Sequence, residues 1–221
     1  MGEISEIFLM ADIFFSEGII MKIFSLIEDL KKQYLTDQVV RKNKTILLHP
    51  GKIPNAKHML YLPLTQELID EYLIADYNLK FPSDYSKFLK YTNGMDLFRY
   101  KLKTNKFEFA GCSLMVFGLP RTQPFGRPLD LEEPGDVRIE DLDHYGNPNT
   151  WLKFGRFTHA PATQDAESDL YIDTETQKVY MYVLRTHQKL DEWSSLDECL
   201  CDLFQRASKY GEEYFFVPKK K

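Results

Sequence analysis

Apolar residues recur at helical spacing near the start of the chain and again near its end. Between residues 4 and 35 they lie three or four positions apart, which predicts a helix in two pieces broken at Gly18. A second helix is expected to begin after Thr65, a suitable N-cap, with an inward face formed by Leu68, Ile69, Tyr72 and Leu73. A third begins after Pro82 with Tyr85, Phe88 and Leu89 on one face, and it ends at Asn93-Gly94. Ser194-Ser195 predicts the start of a final helix whose inward face carries Leu196, Cys199, Leu200, Leu203 and Phe204.

Short runs of β-branched, aromatic and aliphatic residues lie between these helices and predict strands. The runs cover residues 45–49, 58–62, 97–102, 106–110, 113–117, 151–156, 170–173 and 178–184. Repeated proline and glycine after residue 117 predict a long irregular loop, with a short helix near 137–142. Helices, then antiparallel strands, then a helix indicate an α+β protein with a central antiparallel sheet flanked by helices. We expect an N-terminal extension over residues 1–60, helical and then with short strands, and an α+β domain over residues 61–221.

Composition places the chain among ordinary globular proteins. It has 221 residues, of which 43% are hydrophobic and 28% charged, and this excludes a wholly disordered or fibrous protein. A net charge of −5 argues against a general nucleic-acid binder, and three cysteines fit a reducing compartment. The apolar stretch from Ile7 to Ile27 contains Asp12, Glu17 and Lys22, so we expect no membrane span. The acidic first residues do not resemble a secretory signal, and we expect a cytoplasmic protein, with Met21 an alternative start that the sequence leaves open.

Charge is distributed unevenly along the chain. Residues 22–57 hold eight basic and three acidic residues, a net charge of +5, whereas residues 130–175 hold three basic and twelve acidic residues, a net charge of −9. Acidic loops of this kind are commonly no more than a solvated surface. Alternatively, loops around 130–143 and 163–169 form a negative face for a basic protein partner, with Tyr145, Trp151, Phe157 and Tyr171 as apolar anchors. The candidate partner-binding residues are Asp130, Glu132, Glu133, Asp136, Glu140, Asp141, Asp143, Glu167 and Asp169.

No group of residues has a spacing typical of catalysis, metal binding or cofactor binding. Cys199 and Cys201 are two apart on an expected helix, so their side chains diverge, and the five histidines form no metal-binding pattern. A cluster of Asp141, Asp143 and His144 is expected by chance in a loop so rich in carboxylates. We therefore predict no catalytic residue, no metal and no cofactor. A pocket lined by His144 and Asp141 would support the alternative of an enzyme.

The order of motifs resembles the SUKH superfamily, the Smi/Knr group. The resemblance covers residues 65 to about 207 and starts with the segment Thr65 to Tyr72, the run Phe81-Pro82-Ser83-Asp84-Tyr85-Ser86-Lys87-Phe88-Leu89 and Asn93-Gly94. It continues with Phe117-Gly118, Trp151-Leu152, Asp173 before a reversal, Val179-Tyr180 and Trp193-Ser194-Ser195-Leu196. Phe81 stands where the family has leucine, and residues 1–60 match no part of the family pattern.

The resemblance implies a function in binding rather than in catalysis. Many bacterial members resemble immunity proteins, which bind and neutralise a cognate polymorphic toxin, often a nuclease. It also implies that the motif residues build the fold and are no binding site; these are Pro82, Tyr85, Leu89, Asn93, Gly94, Trp151 and Val179. We therefore predict a cytoplasmic, non-enzymatic immunity protein that binds a basic toxin stoichiometrically. The alternative is a regulatory scaffold of the Smi/Knr type that binds a cellular protein. The sequence leaves the identity of the toxin, the binding face and the oligomeric state open.

Overall fold

A computed structural model gives the structure of the chain. It describes residues 21–35, 38–41, 44–48, 56–76, 82–100, 102–103, 108–109, 112–119, 138–139, 151–159, 167–184 and 186–215. The first piece of the expected N-terminal helix lies outside these residues.

The described residues form four helices. They are α1 (Lys22–Gln33), α2 (Gln66–Asp76), α3 (Ser83–Tyr91) and α4 (Leu196–Phe215). Within these described helices, none is both long enough and apolar enough to span a membrane. The helices predicted after Thr65, Pro82 and Ser195 are confirmed, as is the second piece of the N-terminal helix.

Most of the strands form one antiparallel sheet. Its order is β1 (Gln38–Val40), β2 (Ile46–Leu48), β3 (Ala56–Leu60), β4 (Met95–Tyr100), β7 (Ser113–Val116), β9 (Trp151–Thr158), β10 (Glu167–Asp173), β11 (Val179–Val183) and β12 (Lys189–Trp193). Strand β8 (Arg138–Ile139) also pairs with β9, and β5 (Leu102–Lys103) pairs with β6 (Glu108–Phe109) apart from the sheet. The predicted α+β class with an antiparallel sheet is confirmed.

One face of the sheet packs against the helices. Alternation along β9 places Leu152 and Phe154 in the same core cluster as Ile27 of α1, Tyr85 of α3 and Leu200 of α4. The predicted inward residues of α4 are all buried, at 8% exposure or less. Residues 21–60 contribute α1 and three sheet strands to this arrangement, so the described part of the expected extension packs with the following residues.

A side chain of α4 caps the first helix. Met21 precedes α1 and provides no side-chain hydrogen bond to it. The Asp197 carboxylate takes this role, because it accepts the backbone N–H groups of Lys22 and Ile23, each at 3.0 Å. The negative charge therefore lies at the positive end of the α1 dipole and also in the first turn of α4.

Motif residues hold the turn after α3. The Tyr85 hydroxyl donates to the Phe117 carbonyl at 2.7 Å, and the Asn93 amide side chain bonds both the N–H and the carbonyl of Leu119. Gly118 lies so close that an added Cβ would stand 2.2 Å from the Asn93 carbonyl oxygen. Gly94 adopts φ 95°, a value that favours glycine. The side chains of Tyr85 and Asn93 are buried, so for these two residues the expectation that the motif residues build the fold is confirmed.

Three details differ from the sequence predictions. Leu68, predicted on the inward face of α2, is 44% exposed, whereas its neighbour Ile69 is fully buried. Arg138 and Ile139 form a strand where a short helix was predicted, because they pair with Lys153 and Leu152 of β9. Strands β1 and β12 were not predicted, since one is only three residues long and the other is mostly charged.

Candidate protein-binding face

Two of the nine predicted partner-binding acids lie in described residues. Glu167 and Asp169 belong to β10, so the segment predicted as a loop over 163–169 is a strand from residue 167 onward. The other seven lie outside the described residues: Asp130, Glu132, Glu133, Asp136, Glu140, Asp141 and Asp143. The structure therefore bears on the acidic face only through Glu167 and Asp169.

Asp169 is buried in a network of opposite charges. Its carboxylate lies 2.7 Å from the Lys153 Nζ and 3.0 Å from the Arg156 Nε. The side chain of Asp169 is 3% exposed and that of Lys153 is 10% exposed. A carboxylate that is neutralised and covered in this way stabilises the strand pair and presents little negative potential to a partner.

Strand register produces this network. Asp169 lies directly opposite Arg156, and an irregularity between Leu170 and Tyr171 shifts the pairing so that Tyr171 lies opposite Lys153. Lys153 and Arg156 are thus both within reach of one carboxylate on the neighbouring strand.

Glu167 completes the network at its solvent side. Its Oε2 lies 3.2 Å from the Arg156 Nη1, and its side chain is 48% exposed. It is the only one of the two described candidate acids that a partner can reach, and its charge is already paired with an arginine. Exposed pairs of this kind contribute little stability and exchange partners readily.

Pairing within the sheet leaves the excess negative charge of residues 130–175 mostly in their first part. In residues 130–175 the acids Glu167 and Asp169 are balanced by the bases Lys153 and Arg156. The net charge of residues 130–175 stays at −9; residues 130–143, with seven acids and one base, hold −6 of it, and Asp165, Asp173 and Glu175 hold the other −3. Any strongly acidic partner-binding surface from this segment depends on residues 130–143.

An aromatic cluster lies on the same side of the sheet. Trp151 stacks on Tyr180 with ring centroids 4.7 Å apart, and Tyr171 and Tyr182 lie at 6.2 and 5.8 Å from the Trp151 ring. Trp151, Tyr171 and Tyr182 are buried, whereas Tyr180 is only partly buried. Of the predicted anchors, Trp151 and Tyr171 belong to this cluster, Phe157 is in the core, and Tyr145 lies outside the described residues.

Charged side chains of β12 border the aromatic cluster. The Lys189 Nζ lies 5.1 Å from the centre of the Tyr180 ring, and Glu192 bonds both Lys189 and Lys178. Hydrogen bonds from the two lysines lower the pKa of Glu192 to about 2. The rim of the cluster therefore carries fixed charges of both signs, as at the edge of a protein interface.

Of the three cysteines, which all lie in described residues, Cys112 and Cys199 are buried and Cys201 is partly buried. Burial raises the pKa of the Cys112 thiol to about 12 and raises that of Cys199 as well, which disfavours the reactive thiolate. The His159 Nε2 lies 3.1 Å from the Ser168 Oγ, but Ser168 is fully buried. Among the described residues, no three His, Cys, Asp or Glu side chains are grouped to hold a metal ion. His144 and its acidic neighbours lie outside the described residues.

Sequence reasoning missed two members of the aromatic cluster and the pairing of Asp169. Tyr180 and Tyr182 are separated by one residue on a predicted strand, which places them on one face, and this period-two spacing was a usable signal. The partners of Asp169 lie 16 and 13 positions away in the sequence, and only the strand register brings them together.

Comparison with known proteins adds no family assignment. No protein-family model matches the chain, and no curated protein matches its sequence. The resemblance to the SUKH superfamily therefore rests on the order of motifs from Thr65 to Leu196 alone.

Proposed function

We propose that this chain is a cytoplasmic immunity protein of the SUKH type, which binds a cognate basic toxin in a stoichiometric complex and so blocks it. The observation that carries the proposal is the concentration of charge in residues 130–143, which keep a net charge of −6 after the neighbouring acids have been paired within the sheet.

Two further features support a binding function. The motif residues Tyr85 and Asn93 are occupied with backbone hydrogen bonds in the core, so their side chains are not available for recognition. On the side of the sheet that bears Trp151, the partly buried Tyr180 ring lies beside charged residues, and aromatic side chains provide much of the energy of protein interfaces.

The proposed mechanism is electrostatic steering followed by occlusion. A nuclease that binds nucleic acid carries a basic surface, and carboxylates of residues 130–143 attract that surface and compete with the phosphates of its substrate. Long-range attraction of this kind raises the association rate and weakens with salt, because the Debye length is only about 8 Å at physiological ionic strength.

Charge reversal of the acidic segment tests the proposal. A variant with Glu132, Glu133 and Asp136 replaced by lysine changes the charge by six units. It should lose binding to the toxin encoded beside its gene, measured by co-purification of the two chains and by survival of cells that express the toxin. The association rate of the unmodified chain should also fall as salt is raised.

A matched variant controls for overall charge. Glu67, Asp70 and Glu71 are acids outside the acidic segment 130–175, and all three are exposed. Their replacement by lysine changes the net charge by the same six units and should leave binding and protection intact. Equal protection of cells by both folded variants would contradict the proposal. Equal loss of protection in both variants would mean that net charge, and not the acidic segment, determines binding.

A further inference from the structure

Strand β1 forms an apolar edge of the sheet. Val39 and Val40 of this strand are 50% and 44% exposed. With Leu35, which precedes the strand and is 64% exposed, and Leu68, they are the four most exposed large hydrophobic side chains among the described residues. Val39 and Val40 point to opposite faces of the strand, so both faces of this edge are apolar and accessible. An edge of this kind favours pairing with a further strand.

The opposite edge of the sheet is protected. Strand β12 carries Lys189, Asp191 and Glu192, and its pairing with β11 is irregular between Met181 and Tyr182. Charge and irregularity are common devices against edge-to-edge pairing. Residues 38–40 contain neither a charge nor a proline, so the two edges of the described sheet differ in this respect.

Hydrogen bonding shows which backbone groups of β1 face outward. The Arg41 N–H donates to the Thr45 carbonyl at 2.9 Å, which makes this a hydrogen-bonded pair of the ladder. Hydrogen-bonded and non-hydrogen-bonded pairs alternate along antiparallel strands. Val39 and Leu47 therefore form the next hydrogen-bonded pair, and Val40 and Ile46 form a non-hydrogen-bonded pair. The N–H and C=O groups of Gln38 and Val40 are therefore directed away from β2, toward the edge that no described strand covers.

We propose that β1 pairs with β1 of a second copy of this chain, in antiparallel orientation and centred on Val39. In this register Gln38 of each copy exchanges two backbone hydrogen bonds with Val40 of the other, which uses all four outward groups of each strand. The two Val39 side chains meet at the two-fold axis as a close, non-hydrogen-bonded pair. The result is one sheet that is continuous across a dimer.

Symmetry and charge favour a second copy as the occupant. Along the sequence, the segment Asp37-Gln38-Val39-Val40-Arg41 has an acid at one end and a base at the other, so its charge pattern is complementary to its own reverse. An isologous contact also closes at two copies, whereas pairing of β1 with the charged β12 edge would continue into a filament. The inference is independent of the proposed toxin binding, which uses residues 130–143.

The test is the molar mass of the full chain in solution, measured by sedimentation equilibrium over a series of protein concentrations. The unmodified chain should approach twice its 26.0 kDa as concentration rises. Val40→Pro removes an outward N–H without disturbing the pairing with β2, and it should remain a monomer. Val39→Lys, which places two like charges at the axis, should also remain a monomer.

Leu68→Lys provides the matched control. Leu68 is as exposed as Val40 but belongs to α2, and its replacement should leave the dimer intact. Circular dichroism of each variant establishes that it is folded, and Val39→Lys keeps the test available if the proline variant does not fold. An unmodified chain that stays at 26.0 kDa at every concentration would overturn the inference, and so would a dimer that persists in both folded β1 variants.

Discussion

Replacing Asp197 with alanine should loosen the attachment of α1 to α4. The substitution removes the acceptor for the backbone N–H groups of Lys22 and Ile23. Loss of an N-cap acceptor costs about 1–2 kcal/mol, and loss of a negative charge at a helix N-terminus adds about 0.3–1 kcal/mol. The Lys22 bond is exposed and water replaces it readily, whereas the Ile23 bond is partly buried. We therefore expect the free energy of unfolding to fall by about 2 kcal/mol.

Urea unfolding measures this loss. With a slope of about 2 kcal/mol per molar urea, the transition midpoint should fall by about 1 M. Asp197→Asn keeps one acceptor oxygen without the charge and should give a smaller decrease. Asp29→Ala is the control, because Asp29 forms an exposed pair with Lys32 and its loss should cost less than about 0.5 kcal/mol. A change in Asp197→Ala no larger than that of the control would refute the assigned cap.

Three further substitutions test the buried polar groups and the tight turn. Burial lowers the pKa of His58 to about 4 from 6.5. The unfolded chain therefore binds the proton first as pH falls, and the free energy of unfolding should drop by about 3 kcal/mol between pH 6.5 and 4. His58→Asn retains an acceptor for the Phe98 backbone N–H, which donates to the His58 Nδ1. In urea titrations this variant should show a weaker dependence of the free energy of unfolding on pH, and an unchanged dependence would contradict the role of His58. Asp169→Asn should lower the free energy of unfolding by about 3–5 kcal/mol, because it leaves the buried Lys153 ammonium poorly compensated. Adding Lys153→Met should recover most of this loss, and additive losses in the double-mutant cycle would oppose the account. Gly118→Ala should cost about 3 kcal/mol or more, because its Cβ would overlap the Asn93 carbonyl oxygen, and an unchanged melting temperature would exclude the close contact.

Local pattern accounts for much of the secondary structure. Helix α3 follows directly from Pro82, three apolar positions on one face and the stop at Gly94, and all of these signals are local. Leu68 was misplaced because apolar spacing alone does not show where the buried face of α2 ends, whereas Ile69, predicted on the same face, is buried. Strand β12 was missed because charged residues dominate it, and its strand conformation depends on pairing with β11.

The candidate site was less predictable than the fold. Counting acids identified Glu167 and Asp169, but a count does not distinguish an exposed carboxylate from one buried between Lys153 and Arg156. That distinction depends on strand register, which includes an irregularity in β10 that the local sequence pattern does not predict. The same limit applies to Tyr180, whose stacking on Trp151 joins residues of different strands.

Titration of the chain against the toxin encoded beside its gene tests the central claim most directly. The account predicts that toxin activity falls in proportion to the amount of chain added and reaches zero near one chain per toxin, because inhibition is by occupancy. Complete inactivation by a small fraction of one equivalent would mean that the chain turns over a substrate, and this result would contradict the account.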